Sequence, residues 1–224
     1  MKQIINFLKI SEGWGRAVSV VVVACMLTAL VTGCADHNDM FDSGFKVGNI
    51  VLSNNTLVSP DAFDAKTMKP VGVVFFTKND SAWVIAPVEL GDLPFSTKTG
   101  NVNGVSNDSY SLNGLTSTAA MIVSGDDMPA AEACANYSTG LSGWFLPSAG
   151  ELRMLANNLD IVRRSMQVIG GEDFDNVQYM SSSQDNSSSG NNQILCYCVS
   201  LLRGYAVSVA KKEAHRVRPA ILIH

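Results

Sequence analysis

Residues 143–152 read GWFLPSAGEL, and this stretch states how the chain around it turns. Ser148-Ala149-Gly150-Glu151 has the form of a capping box. In such a box the serine side chain accepts from the N–H of the glutamate, and the glutamate reaches back to the N–H of the serine. Pro147 holds the chain extended just before the cap and restricts Leu146 to extended geometry as well. Beyond the cap, Leu152, Leu155, Ala156 and Leu159 recur at helical spacing. Val162, Met166 and Ile169 continue the stripe past Asn157-Asn158 until Gly170-Gly171 ends it. Trp144 and Leu146 fall on one side of the incoming segment, placed to roof the helix that follows. The stretch therefore sets the angle between a strand and a helix, and Trp144, Pro147, Ser148 and Glu151 are assigned structural roles.

Working outward, residues 47–52, 71–77 and 82–88 are β-rich runs. In the second of these both alternating sets are apolar, which predicts burial on both faces. Residues 91–117 are rich in Gly, Asn and Ser and predict a long excursion. Residues 118–124 fit a short strand or a helix. Asp126-Asp127-Met128-Pro129 opens a helix whose face carries Ala130, Cys134, Tyr137 and Leu141. On the far side, residues 177–181 predict a short strand and residues 181–192 (SSSQDNSSSGNN) a polar loop. Three strand-like runs, 193–201, 205–211 and 216–223, finish the chain, with Arg203-Gly204 turning between the first two.

The first residues have another character. Lys2, Lys9 and Arg16 precede an uncharged apolar run at 17–31, and small residues then lead to Cys34. That order describes an export signal. The run falls short of the about 20 residues a comfortable membrane span requires. Val31-Thr32-Gly33-Cys34 resembles the lipobox of bacterial lipoproteins, which implies cleavage before Cys34 and attachment of a lipid (diacylglycerol, then palmitate-type acyl chains) to it. The alternative is an ordinary signal peptide or an uncleaved anchor. Residues 1–33 are thus assigned to the leader, 34–46 to a polar tether and 47–224 to one domain. Asp36, Asp39 and Asp42 in the tether fit export to the cell surface.

With 16 basic and 20 acidic side chains in 224 residues, the net charge is −4, and no basic patch of the kind nucleic acid requires is present. Beyond the leader and Cys34 the cysteines are Cys134, Cys196 and Cys198. Two readings stand: three buried thiols, or one disulfide from Cys134 to either partner. Cys-x-Cys without nearby histidines is a poor zinc signature.

Three motifs in order carry a resemblance. GWFLPSAGEL is similar to the GWRLPT-x-x-EL signature shared by the C-terminal domain of a collagen-like adhesin, the major paralogous domain family and formylglycine-generating-type proteins. Tyr179-Met180-Ser181-Ser182-Ser183 resembles their YWSSS, and Arg216-Val217-Arg218-Pro219-Ala220 their closing VRPVR strand. The resemblance implies an α+β, C-type-lectin-like fold: two helices packed on a twisted, mainly antiparallel sheet, with first and last strands adjacent and long polar loops at one end. Phe145 stands where the family has arginine, and Met180 where it has tryptophan.

Chemistry is not expected. The family's enzymes use a cysteine pair separated by four residues or a histidine cluster, whereas Cys196 and Cys198 are separated by one residue and the histidines are His37, His215 and His224. Glu172, Asp173 and Asp175 lack the regular spacing of a calcium loop, and no metal or cofactor is expected. What remains is recognition by loops on a rigid scaffold. Ser183, Gln184, Asp185 and Asn186 supply paired donors and acceptors for a hydroxyl-rich glycan, and Tyr110 a ring to stack on a sugar. The alternative is a structural subunit of a surface fibre or envelope complex that recognises protein. Arg216 and Arg218 are expected to neutralise a buried carboxylate such as Glu151, in preference to facing a sulfated ligand.

Overall fold

The computed structural model describes residues 44–187 and 194–224. Cys34, the leader and most of the tether lie outside the described residues, as does the tract 188–193. Among the described residues the architecture is mixed helix and sheet, with two five-stranded sheets and four α-helices. The first sheet orders β10-β4-β3-β1-β2 and the second β5-β9-β6-β7-β8. The first comprises β1 (Ile50–Leu52), β2 (Leu57–Val58), β3 (Pro70–Lys78), β4 (Ser81–Ile85) and β10 (Ala220–Ile223). In the second are β5 (Asp92–Pro94), β6 (Gln178–Asp185), β7 (Leu195–Ser200), β8 (Tyr205–Ala210) and β9 (Ala214–Arg216). All ladders are antiparallel except the contact of β6 with β9. The helices are α1 (Gly114–Val123), α2 (Pro129–Asn136), α3 (Ala149–Asn157) and α4 (Leu159–Val168).

Three apolar clusters fill the interior. The first packs β3 and β4 against α3 and α4 through Val73, Phe75, Ile85, Leu152, Leu155 and Val162. The opposite face of that sheet carries Val71, Val74, Val84 and Ile221, so β3 is buried on both faces, as its unbroken apolar run predicts. The second sheet packs Met180, Cys196, Cys198 and Val217 against α1 and α2.

Several expectations are corrected. Four helices replace two, because residues 114–123 form α1 and Asn158 divides the stripe after the cap into α3 and α4. The Asn158 side chain donates to the carbonyls of Phe75 (3.0 Å) and Met154 (3.3 Å), holding the break against β3. The single sheet is two. First and last strands share a sheet but are not adjacent, since the β3–β4 hairpin lies between β1 and β10. The excursion 91–117 contains β5 and is anchored by buried Phe95, Val102 and Val105. All three described cysteines are free and buried, which settles the pairing in favour of thiols.

Candidate functional site

The capping box is present. Ser148 Oγ accepts from Glu151 N (3.3 Å) and Glu151 Oε2 accepts from Ser148 N (2.8 Å). Glu151, 1% exposed, does more than cap one helix. Its Oε1 also accepts from the indole N–H of Trp83 (3.0 Å) and from the backbone N–H of Gly114 (3.2 Å), the first residue of α1. One carboxylate thus takes orphan donors from two helix starts, where helix dipoles favour negative charge. Burial pushes its pKa up, while the donors from Ser148, Gly114 and Trp83 work the other way. Gly114 must be glycine, because a Cβ there would stand 2.8 Å from both Phe145 Cε2 and Ser148 N and on top of the Glu151 carboxylate. At Gly150 a Cβ would lie 2.5 Å from the carbonyl oxygens of Tyr110 and Ser111.

Trp144, Phe145 and Leu146 enter three different clusters. Trp144 joins the outer face of the first sheet, Phe145 the helix-covered face, and Leu146 the core of the second sheet. The expected roofing of α3 by Trp144 and Leu146 is therefore corrected: Phe145 faces that helix, because consecutive residues of an extended segment point opposite ways. The backbone is tied at each step. Phe145 exchanges two bonds with Ala220 (2.8 and 2.9 Å), and the Thr118 hydroxyl bonds both N and O of Leu146 (3.0 and 3.1 Å). The Pro147 carbonyl accepts from Ser182 N (2.9 Å). Ser148 Oγ donates to Ser111 O (2.7 Å), and Ala149 N donates to Ser183 Oγ (3.1 Å).

The residues expected to contact a glycan are placed as follows. Ser183, Gln184 and Asp185 lie buried in β6, not on a loop, and this corrects the reading of 181–192 as a polar loop from its first residue. Gln184, 1% exposed, spends its amide on the segment 101–105. Nε2 donates to Asn101 Oδ1 (2.8 Å), Val102 O (2.9 Å) and Val105 O (3.0 Å), while Oε1 accepts from Val102 N (3.1 Å). Asp185 accepts from the Ser208 hydroxyl and from Ser187 N (2.8 Å). Burial opposes its charge, but these donors outweigh it and hold the carboxyl below the usual range. Asn186 is half-buried at the end of the strand. Tyr110 is 68% exposed, and the Arg153 guanidinium lies 4.2 Å from its ring centre. The five residues are not brought together as one ligand site.

Arg216 and Arg218 do neutralise carboxylates, but not Glu151. Arg216 pairs with Glu89, with Asp92 (2.8 Å) and with Asp175 (3.0 Å). Arg218 is wholly buried, 3.3 Å from Glu89, donates to the carbonyls of Glu172 and Asp173 and stacks on Phe174 at 4.2 Å. Burial pushes its pKa down, against the smaller opposite pull of Glu89 and the other neighbouring acids. Asp173 is taken by Arg163 (2.5 Å). The acidic turn 172–175 is therefore spent on arginines, and among the described residues no group of His, Cys, Asp and Glu is arranged to hold a metal ion.

Sequence reasoning missed Trp83, Glu89 and Lys211. Lys211 is 1% exposed, and its Nζ donates to Gly100 O (2.7 Å) and Gln184 Oε1 (3.0 Å), without a carboxylate partner among the described residues. Burial pushes its pKa down. The signal was available: Tyr205, Val207 and Val209 alternate onto one side of β8, and Lys211 is the next residue of that set.

No family model matches the chain, and no curated protein matches it. Among solved structures it is similar to a fimbrial protein from Bacteroides ovatus, with 16% identity and a TM-score of 0.61, covering 80% of this chain and 49% of that one. The likeness concerns the fold, and the chain spans about half the length of that structure. No described helix is long and apolar enough to cross a membrane.

Proposed function

We propose that this protein is a structural subunit of a surface fibre or envelope complex, anchored through lipid on Cys34, with a non-catalytic scaffold derived from the C-type-lectin-like arrangement. The observation that carries the reading is the inverted polarity of α1. This helix buries Gly114, Ser117, Thr118 and Met121 and turns Leu115, Ala119, Ile122 and Val123 to solvent, without a charge along its length. Val123 is 81% exposed. Apolar surface of that kind marks contact with protein. Glycan recognition loses its basis, because Ser183, Gln184 and Asp185 spend their donors and acceptors internally. The fold likeness to a fimbrial protein and the leader ending in a lipobox-like Cys34 support surface assembly. Mild cross-linking of producing cells tests the reading. High-mass species are expected that disappear in Ile122→Glu/Val123→Glu. A monomer on cells, coupled with glycan-array binding by residues 35–224, overturns it.

A further inference from the structure

Three of the four sheet edges are blunted. β2 has two residues, β5 has three and ends in Pro94, and β10 is covered where Phe145 bridges Ala220. β8 is different. Its sequence, YAVSVA, has no proline and no charge, and it pairs with β7 without a register shift. Among the described residues none of the devices that protect an edge is present. Lys211 N donates to Ile194 O directly across the ladder. Residues 205, 207 and 209 therefore bond β7, while the N–H and C=O groups of Ala206 and Ser208 and the N–H of Ala210 face outward. No described group bonds those of Ala206 and Ser208.

We propose that β8 pairs with β8 of a second copy of this chain, antiparallel about a two-fold axis at Ser208, so that the two second sheets become continuous. The register follows from the outward set. The pairing that uses all three residues places Ser208 opposite Ser208 and Ala206 opposite Ala210. It then brings Arg203 of each copy to Glu213 of the other, and both are exposed. It also carries Tyr205, 42% exposed, toward the end of the partner hairpin where Ile194 is exposed. Charge and apolar surface are therefore complementary in this register, and a two-fold contact requires such self-complementarity.

The inference rests on the subunit reading and names one of its contacts. Sedimentation equilibrium of residues 35–224 tests it, with folding checked by melting. The unaltered protein is expected to form a dimer. Ser208→Pro removes only an outward N–H from the backbone ladder and abolishes the dimer, whereas Ser208→Ala, which loses the same hydroxyl bond to Asp185, keeps it. Arg203→Glu and Glu213→Arg each weaken it about tenfold, and the double swap restores it. A dimer unmoved by Ser208→Pro, or single reversals without effect, overturns the edge contact. If the high-mass species on cells persist while the solution dimer is unmoved by Ser208→Pro, the subunit reading stands and the edge falls. A monomer both on cells and in solution removes both.

Discussion

Glu151→Ala is the sharpest test of the scaffold. Removing the carboxylate leaves three N–H donors without an acceptor: Trp83 Nε1, Gly114 N and Ser148 N. An unsatisfied buried donor costs about 1–3 kcal/mol and such losses do not add in full, so about 4 kcal/mol is expected. At about 2–4 °C per kcal/mol for a domain of this size, melting falls by about 10 °C. Calorimetry of residues 35–224 at neutral pH measures this. A fall of no more than about 4 °C refutes the shared cap, since that is what an ordinary exposed cap worth about 1 kcal/mol would produce alone. Glu151→Gln keeps one acceptor oxygen but turns an NH2 toward a donor, and is expected to lose less. The pH dependence separates the two states of the carboxyl. Because the folded pKa is raised by burial, the wild type is stabilised by this group below the unfolded value of about 4.3 and loses that stability as pH rises through the folded value. The gap between wild type and Glu151→Gln therefore narrows with rising pH. A gap that widens contradicts the desolvation argument.

Other outcomes follow from the same geometry. Gly114→Ala and Gly150→Ala, whose added methyls meet packed atoms and backbone oxygens, are each expected to cost about 1–3 kcal/mol in urea titrations. Arg218→Ala leaves the carbonyls of Glu172 and Asp173 without their donor, while Glu89 keeps Arg216 and the Tyr179 hydroxyl; it is expected to cost about 1–3 kcal/mol, above Arg216→Ala, whose side chain is partly solvated. The Cys134, Cys196 and Cys198 thiols are pushed up by burial, Cys196 to about 12. Ellman's reagent should find none of the three in native residues 35–224 and all three in guanidinium. Lys211 has its folded pKa lowered by burial, so stability should rise with pH from that value to about 10.4. Lys211→Met should lack that rise in pH-dependent melts.

What was legible in the sequence was local. The capping box rests on residues three apart, and the double burial of β3 on its unbroken apolar run. The neutralising role of Arg216 and Arg218 was also readable, but not their partners, because Glu89 is distant in the chain. The helix 114–123 was hidden because its inner face holds Ser117 and Thr118. The Thr118 hydroxyl is there to satisfy both polar groups of Leu146, a need created by tertiary packing. Composition misled most at Ser183-Gln184-Asp185. Polarity there reads as solvent exposure, yet the unpaired backbone of 101–105 and the N–H of Ala149 required partners in the interior. The separation into two sheets has no local signature, since it depends on which strands the 143–149 segment divides.

The bond pair between Phe145 and Ala220 has a bearing on biogenesis. The central segment acquires its backbone partner from the very strand translated last among those described, so an emerging polypeptide halted before Ala220 has an incomplete first sheet and an open seam beside Trp144. Closure of the first sheet is thereby deferred until synthesis has passed Ala220, the residue that supplies the backbone partner of Phe145.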